Sequence, residues 1–206
     1  RGGEMEDGGK RGRERALREL KEQYDAVFLG TGAFKSKPMG VEGEDEGYNG
    51  FSEGGIHYLR AVALGEGMVT PKRVIVVGGG NTAIDCVRVA LREGCEDSIL
   101  VYRRTRKEMP AESYEVDDAE EENVDISVNH SPKEFVSVDG KLVGMTFEQM
   151  EYNIDENGRI DRGKSTGEVT LPCDDVILAI GQDNAFPWVE RDIGIEFDEW
   201  ECPVVD

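Results

Sequence analysis

The sequence predicts an α/β fold, a parallel sheet with helices on both faces joined to a small antiparallel hairpin or three-stranded layer. Three observations carry this. Val74 to Val77 is a short β-branched apolar run, the mark of a strand buried on both faces, and it stops at three glycines before a helical pattern begins. From there to Val128, strand and helix patterns alternate, which predicts parallel strands joined by right-handed crossovers. After Pro132 the pattern changes to strand-like runs on either side of Asp139-Gly140, a strong hairpin signal.

Residues 1–13, rich in Gly, Glu, Arg and Lys, have no apolar periodicity and are expected to be irregular. Residues 16–23 suit a short helix. In "YDAVFLGTGA" a strand is expected at 26–29, closed by the turn Gly30-Thr31-Gly32. A strand at 73–77 leads to a helix at 82–93, where Ala83, Ile84, Val87, Ala90 and Leu91 recur at helical spacing and Gly94 supplies a left-handed cap. A strand at 98–102, an acidic helix at 111–122 and a strand at 124–128 follow. The acidic run Glu115, Asp117, Asp118, Glu120, Glu121 and Glu122 is read as a solvated face. Residues 168–171 are expected to add a third antiparallel strand after a polar excursion at 154–167. "DDVILAIGQD" then gives a strand at 176–180 ended by Gly181. Two glycine-ended strands thus bracket the alternating unit, and no other internal repeat is visible.

The glycines at the centre have distinct uses. Gly78, Gly80 and Ala83 fit G-x-G-x-x-A: the first permits the tight strand-to-helix turn, the second lets backbone approach a pyrophosphate, and the alanine keeps helix and strand close. Free N–H groups at the helix start would face the anion. The alternative is a glycine-rich turn with no ligand; the order strand, loop, helix favours a dinucleotide in a Rossmann-like unit. The next strand ends at Tyr102, where such a fold meets the adenosine ribose, and Arg103 and Arg104 follow at once. Arginine there suits the 2′-phosphate of NADP(H) better than the bare ribose of NAD(H), which stays possible. With Arg106 and Lys107 close behind, these cations form a basic island in a chain of formal net charge −20.

That charge argues against nucleic acid as a partner. The 206 residues are enough for one or two domains. No apolar run approaches the roughly 18 residues needed to cross a bilayer, so no membrane association is expected. No secretory leader pattern is present either. Cys86, Cys95, Cys173 and Cys202 form neither C-x-x-C nor a zinc spacing with His57 or His130, so no metal site is expected. Unpaired thiols in a soluble chain point to a reducing compartment, the cytoplasm. No nucleophile–histidine arrangement is visible, and no catalytic residue is assigned.

Together, "YDAVFLGTGA", "VIVVGGGNTAIDCVRVA", "VYRRTRKEMPA" and "DDVILAIGQ" resemble the FAD-dependent pyridine-nucleotide oxidoreductases of the glutamate synthase small-subunit type, from about residue 24 to residue 182. The resemblance implies two nested Rossmann-like domains, an FAD domain interrupted by an NAD(P)H domain, with the two glycine-ended strands as the crossings. It implies that Gly78, Gly79, Gly80, Asn81 and Thr82 cradle the pyrophosphate of NAD(P)H, and that Thr31, Gly32, Gly181 and Gln182 lie near FAD. A glycine that ends a strand is otherwise only a turn.

On that basis residues 1–70 hold the irregular start and a partial FAD-domain segment, 71–175 the NAD(P)H domain, and 176–206 the return strand with a second partial FAD-domain segment. The family's own flavin glycine motif, its Gly-Asp segment and a cysteine-rich iron–sulfur region are absent from these residues. The chain therefore reads as an excerpt, not expected to complete catalysis alone. The implied function is passage of hydride from NADPH to FAD and of electrons to a partner subunit or acceptor. A nucleotide-binding or sensing module without redox turnover is the alternative.

Overall fold

The computed structural model describes residues 17–30, 32–33, 35–46, 54–66, 71–156, 160–183, 186 and 189–204. In chain order its elements are α1 (Leu17–Gln23), β1 (Lys35–Ser36), α2 (Gly55–Ala63), β2 (Arg73–Val77), α3 (Asn81–Arg92), β3 (Asp97–Val101), α4 (Ser113–Glu121), β4 (Asp125–Ser127), β5 (His130–Val138), β6 (Lys141–Glu151), β7 (Lys164–Pro172), β8 (Asp175–Leu178) and β9 (Gln182–Asp183). Two compact units divide the chain: Ser36–Gly181, and the residues up to Lys35 together with those from Gln182 onward.

The larger unit is built on a four-stranded sheet of order β4-β3-β2-β8, parallel throughout. Val74 to Val77 are all buried, which is why the β2 sequence is apolar at every position instead of alternating. The side chains of β2 part to the two faces. Val74 and Val76 join Leu100 and Ile177 under Tyr58 of α2, Ile84 and Val87 of α3, and Val116 and Ala119 of α4. Ile75 and Val77 join Val101, Val176 and Leu178 against Phe135, Leu142, Met145 and Phe147 of the antiparallel layer.

The α/β class and its antiparallel layer are as the sequence predicts, but the layering differs. Helices α2, α3 and α4 share one face, and the sheet β5-β6-β7 covers the other in place of a second set of helices. The cause lies in the segment between β4 and β8. Its alternating strands present Phe135, Met145 and Phe147 as an apolar surface of their own, which fills the position a crossover helix would take. The hairpin turn has positive φ at both Asp139 (51°) and Gly140 (75°), the conformation a two-residue turn needs to match strand twist.

Helix α3 ends as a Schellman motif: Gly94 (φ 99°) donates to the Leu91 carbonyl at 3.0 Å and Cys95 N–H to that of Ala90 at 3.0 Å. At α4 the corresponding residue is Asn123 (φ 65°), with Val124 N–H reaching the Ala119 carbonyl. Arg88 on α3 clamps the two helices, contacting Glu115 at 3.0 Å, Asp118 at 3.6 Å and Glu122 at 2.7 Å.

Two further expectations change. Residues 26–29 form no strand, and Phe28 is 93% exposed. An apolar strand needs neighbours along its edges, and among the described residues none pairs with this segment. Conversely, α2 lies where no helix is expected, because it opens on Gly54 (φ 140°) and Gly55 without a capping side chain. In the smaller unit, Arg18 on α1 pairs with Asp192 at 2.6 Å, and the Arg191 guanidinium lies 3.8 Å from the Phe197 ring centroid.

Candidate functional site

The C-terminal ends of β2 and β3 bring together the glycine loop, the start of α3 and the two arginines. Three consecutive glycines have three different reasons for lacking a side chain. At Gly78 (φ 153°) a Cβ would stand 2.3 Å from the Ala179 carbonyl oxygen, so this glycine lets the segment after β8 pass close by. At Gly79 a Cβ would meet the Tyr102 ring at 2.5 Å. At Gly80 nothing intervenes nearer than Pro110 Cγ at 3.9 Å, and the backbone (φ −96°, ψ 174°) is one any residue adopts. No protein atom requires a glycine there. The open space stands directly before α3, whose N-terminus has no side-chain cap. A cradle that a Cβ would fill, beside the positive end of a twelve-residue helix, suits an anion.

The rest of the loop is fixed. Gly78 N–H donates to the Val101 carbonyl at 3.0 Å, and the Gly79 carbonyl accepts from Ala111 N–H at 3.0 Å. Asn81 is exposed, and its Oδ1 accepts from Glu112 N–H at 3.0 Å, tying α3 to the entry of α4. Thr82 is half-buried on the side facing Gly55. Asn81 and Thr82 thus brace the loop as well as bordering the cradle.

Arg103 and Arg104 are exposed immediately beyond β3, after half-buried Tyr102. Neither is within ion-pair distance of a carboxylate among the described residues, whereas Arg73, Arg88, Arg92 and Arg106 all pair with Asp or Glu. Their backbone is held firmly. Tyr102, Arg103 and Arg104 carbonyls accept from His130 N–H (3.1 Å), the Tyr152 hydroxyl and Asn129 N–H (2.9 Å) respectively. Tyr102 also donates its hydroxyl to the Glu108 carbonyl at 2.7 Å. Burial raises the Tyr102 pKa, while Arg104 and Arg103 act in the opposite sense. Sequence reasoning missed Tyr102, the lid of Gly79, and Tyr152, 49 residues from the carbonyl it touches. An aromatic at the strand end was a readable signal for the first; no local signal marks the second.

The residues that the resemblance implies for flavin are divided between the two units. Gly181 belongs to the larger unit, has φ 116° and accepts at its carbonyl from Lys37 N–H at 3.1 Å. A Cβ on it would meet only Lys37 Cδ, at 3.7 Å. Gly32 (φ 71°) and half-buried Gln182 of β9 belong to the smaller unit, and Thr31 lies outside the described residues.

At the other end of the sheet, Arg73 grips Asp174 through both guanidinium and backbone N–H groups, at 2.8 to 3.3 Å. The next carboxyl, Asp175, is 1% exposed and accepts from Val176 N–H at 2.7 Å. Burial pushes its pKa up to about 7, with Asp174 adding in the same direction. Cys86, Cys95 and Cys173 are buried free thiols, and burial raises the pKa of each, opposite to what a reactive thiolate needs. Among the described residues, no group of three or more His, Cys, Asp and Glu side chains is placed to hold a metal ion, and no helix is long and apolar enough to cross a membrane.

Comparison with known proteins agrees with the fold. A family model described as pyridine nucleotide-disulphide oxidoreductase matches residues 8–206. The chain is 48% identical over 196 residues to the NADPH-Fe(3+) oxidoreductase subunit beta of Geobacter sulfurreducens, covering 94% of this chain and 29% of that protein. It is 36% identical over 200 residues to the glutamate synthase [NADPH] small chain of Halomonas elongata, covering 91% of this chain and 42% of that one. It therefore spans well under half the length of these relatives. Among solved structures, Mycobacterium tuberculosis FprA in complex with NADPH has a TM-score of 0.65 at 18% identity, over 91% of this chain and 56% of that one. Thioredoxin reductase of T. acidophilum has a TM-score of 0.58 at 20% identity, over 85% and 50%. With the strand–glycine loop–helix unit of its parallel sheet and a family match over nearly its whole length, the chain belongs to the pyridine nucleotide-disulphide oxidoreductase family.

Proposed function

We propose that this chain is the NADPH-binding part of a flavin-dependent oxidoreductase, in which hydride passes from NADPH to FAD and electrons go on to a partner subunit or acceptor protein. The observation that carries it is the pairing of open space at Gly80 with two arginines at the end of the adjacent strand that have no carboxylate partner among the described residues. Gly78, Gly79, Gly80, Asn81 and Thr82 would hold the pyrophosphate at the start of α3. Arg103 and Arg104 would hold the 2′-phosphate, which favours NADP(H) over NAD(H). Open space at Gly80 and the exposed Arg103 and Arg104 at the end of the neighbouring parallel strand support a fit to the nucleotide's two anionic groups.

The flavin reading rests on family membership, and of the residues proposed for it Gly181 offers open space and a backbone that favours glycine. When bound, NADPH supplies a hydride and FAD accepts it; the protein contributes binding, orientation and charge. That division of labour needs no side-chain nucleophile. His57 on α2 and His130 at the start of β5 sit on separate elements, and neither is given a role. Residues 71–175 form the nucleotide domain in this reading, with segments of a flavin domain on either side.

The names of the relatives, a subunit beta and a small chain, support a partner subunit. The charge of −20 disfavours nucleic acid as that partner, and the cytoplasm is the proposed location. Anaerobic addition of NADPH to the intact protein, followed by flavin absorbance, tests the proposal. Bleaching of a yellow protein is the expected result; a colourless protein that still binds NADPH would leave a nucleotide sensor instead.

A further inference from the structure

We infer that Tyr152 is a positioning residue for Arg103 and Arg104: by holding the Arg103 carbonyl it orients the cationic pair, and so sets the preference for nucleotides carrying a 2′-phosphate. The inference rests on the proposed NADPH site and assigns that site's selectivity to a residue outside the strand, loop and helix that form it.

Among the described residues no carboxylate lies within ion-pair distance of Arg103 or Arg104, so the course of the backbone through residues 102–104 decides where their side chains start. That course is fixed from outside the parallel sheet. Three successive carbonyls accept hydrogen bonds from two places in the antiparallel layer, the entry to β5 and the connection from β6 to β7. The outer two come from backbone N–H groups of His130 and Asn129, which any residue except proline could supply. The central one comes from a side chain, the Tyr152 hydroxyl.

The tyrosine is itself held. It follows directly on β6, and its ring lies against Gly163, where a Cβ would come within 2.5 Å of Cε1. The neighbouring Asp161 carboxylate accepts from Asn153 N–H (3.2 Å), Asn153 Nδ2 (2.8 Å) and Gly163 N–H (2.8 Å), tying the residue after the tyrosine to the glycine against its ring. Burial raises the Tyr152 pKa, and Arg104 and Arg103 both oppose it, so the phenol sits within the field of both cations.

A residue that merely stabilised the loop would affect every nucleotide alike. A residue that orients the arginines affects only ligands with a phosphate for them to grip. Tyr152→Phe removes the hydroxyl and keeps the ring. Calorimetric dissociation constants for NADPH and NADH at one fixed salt concentration are the measurement, with thermal unfolding of each variant alongside.

The expected result is NADPH binding weakened about threefold to tenfold, NADH binding changed by less than about twofold, and no further NADPH loss when Tyr152→Phe is added to the Arg103→Ala/Arg104→Ala protein. Equal losses for both nucleotides, unchanged NADPH affinity, or an undiminished loss in the arginine-free background would overturn the inference. If the arginine variant loses the preference and Tyr152→Phe keeps it, the positioning role alone falls. If the unaltered protein binds neither nucleotide, the site itself falls with it.

Discussion

Gly80→Ala separates ligand binding from folding more cleanly than any other single change in the loop. The residue has φ −96° and ψ 174°, so alanine adopts its backbone without strain, and the added methyl meets nothing closer than Pro110 Cγ at 3.9 Å. Alanine is a poorer helix N-cap than glycine, by roughly 0.5–1 kcal/mol. Against that, it restricts the unfolded chain, worth about 0.4–1 kcal/mol in the opposite sense. The two offset, and the melting temperature should scarcely move.

Binding is a different matter, because the methyl occupies the approach to the N–H groups of α3. Loss of one charge-assisted hydrogen bond to a phosphate costs about 1.5–3 kcal/mol, a weakening of roughly tenfold to a hundredfold. Calorimetric titration of NADPH into both proteins, with thermal unfolding in parallel, measures the two effects. The neighbouring glycines provide contrast. A methyl at Gly78 would lie 2.3 Å from a backbone carbonyl at φ 153°, and one at Gly79 would lie 2.5 Å from the Tyr102 ring, so both substitutions should destabilise the fold by roughly 2–4 kcal/mol. A folded Gly80→Ala protein that binds NADPH as tightly as its parent would refute the phosphate-cradle reasoning.

Other outcomes follow from the same structure. Arg103→Ala and Arg104→Ala should each weaken NADPH about tenfold to a hundredfold and leave NADH nearly unchanged, read from paired dissociation constants at constant salt. Asp175 titrates near 7 when folded and near 3.9 when unfolded, so its protonated form is favoured by folding; the stability it contributes is present below about pH 4 and is lost as pH rises through 7. Asp175→Asn should therefore raise the melting temperature at about pH 8, by an amount on the order of a few kcal/mol in stability, and the gain should vanish near pH 4. Arg88→Ala leaves Glu115, Asp118 and Glu122 facing one another with less compensation, and should cost roughly 1–3 kcal/mol in urea unfolding while NADPH affinity is unchanged.

The parallel sheet was legible because its residues are buried on both faces and say so locally. Val74 to Val77 need no partner identity to be read as a central strand, and the hairpin at Asp139-Gly140 announces itself through turn chemistry. The identity of the second covering layer was not legible. Whether helices or strands fill that face depends on where Phe135, Met145 and Phe147 are delivered, which is a long-range matter.

Phe28 illustrates the opposite failure. The run around it has the composition of a buried strand, but composition cannot supply neighbours along its edges. In the site, loop and arginines could be read from order along the chain. The differing reasons for Gly78, Gly79 and Gly80 could not, since each depends on what approaches from elsewhere: Ala179, Tyr102 and, at Gly80, open space.

The strand order β4-β3-β2-β8 has a consequence for synthesis on the ribosome. One edge of β2 is covered by β3 soon after it emerges, but the other waits for β8: Arg73 and its partner Asp174 are 101 residues apart. At about 5–20 residues per second, that edge stays bare for roughly 5–20 s. Throughout that interval the most apolar strand of the sheet presents an unpaired ladder to any neighbouring chain, the situation that invites edge-to-edge association. The antiparallel layer is made entirely within the wait. Its hairpin closes locally and can cover one face of β2 before the edge is sealed, so early closure at Asp139-Gly140 would leave less apolar surface open on a nascent chain that cannot yet finish its sheet.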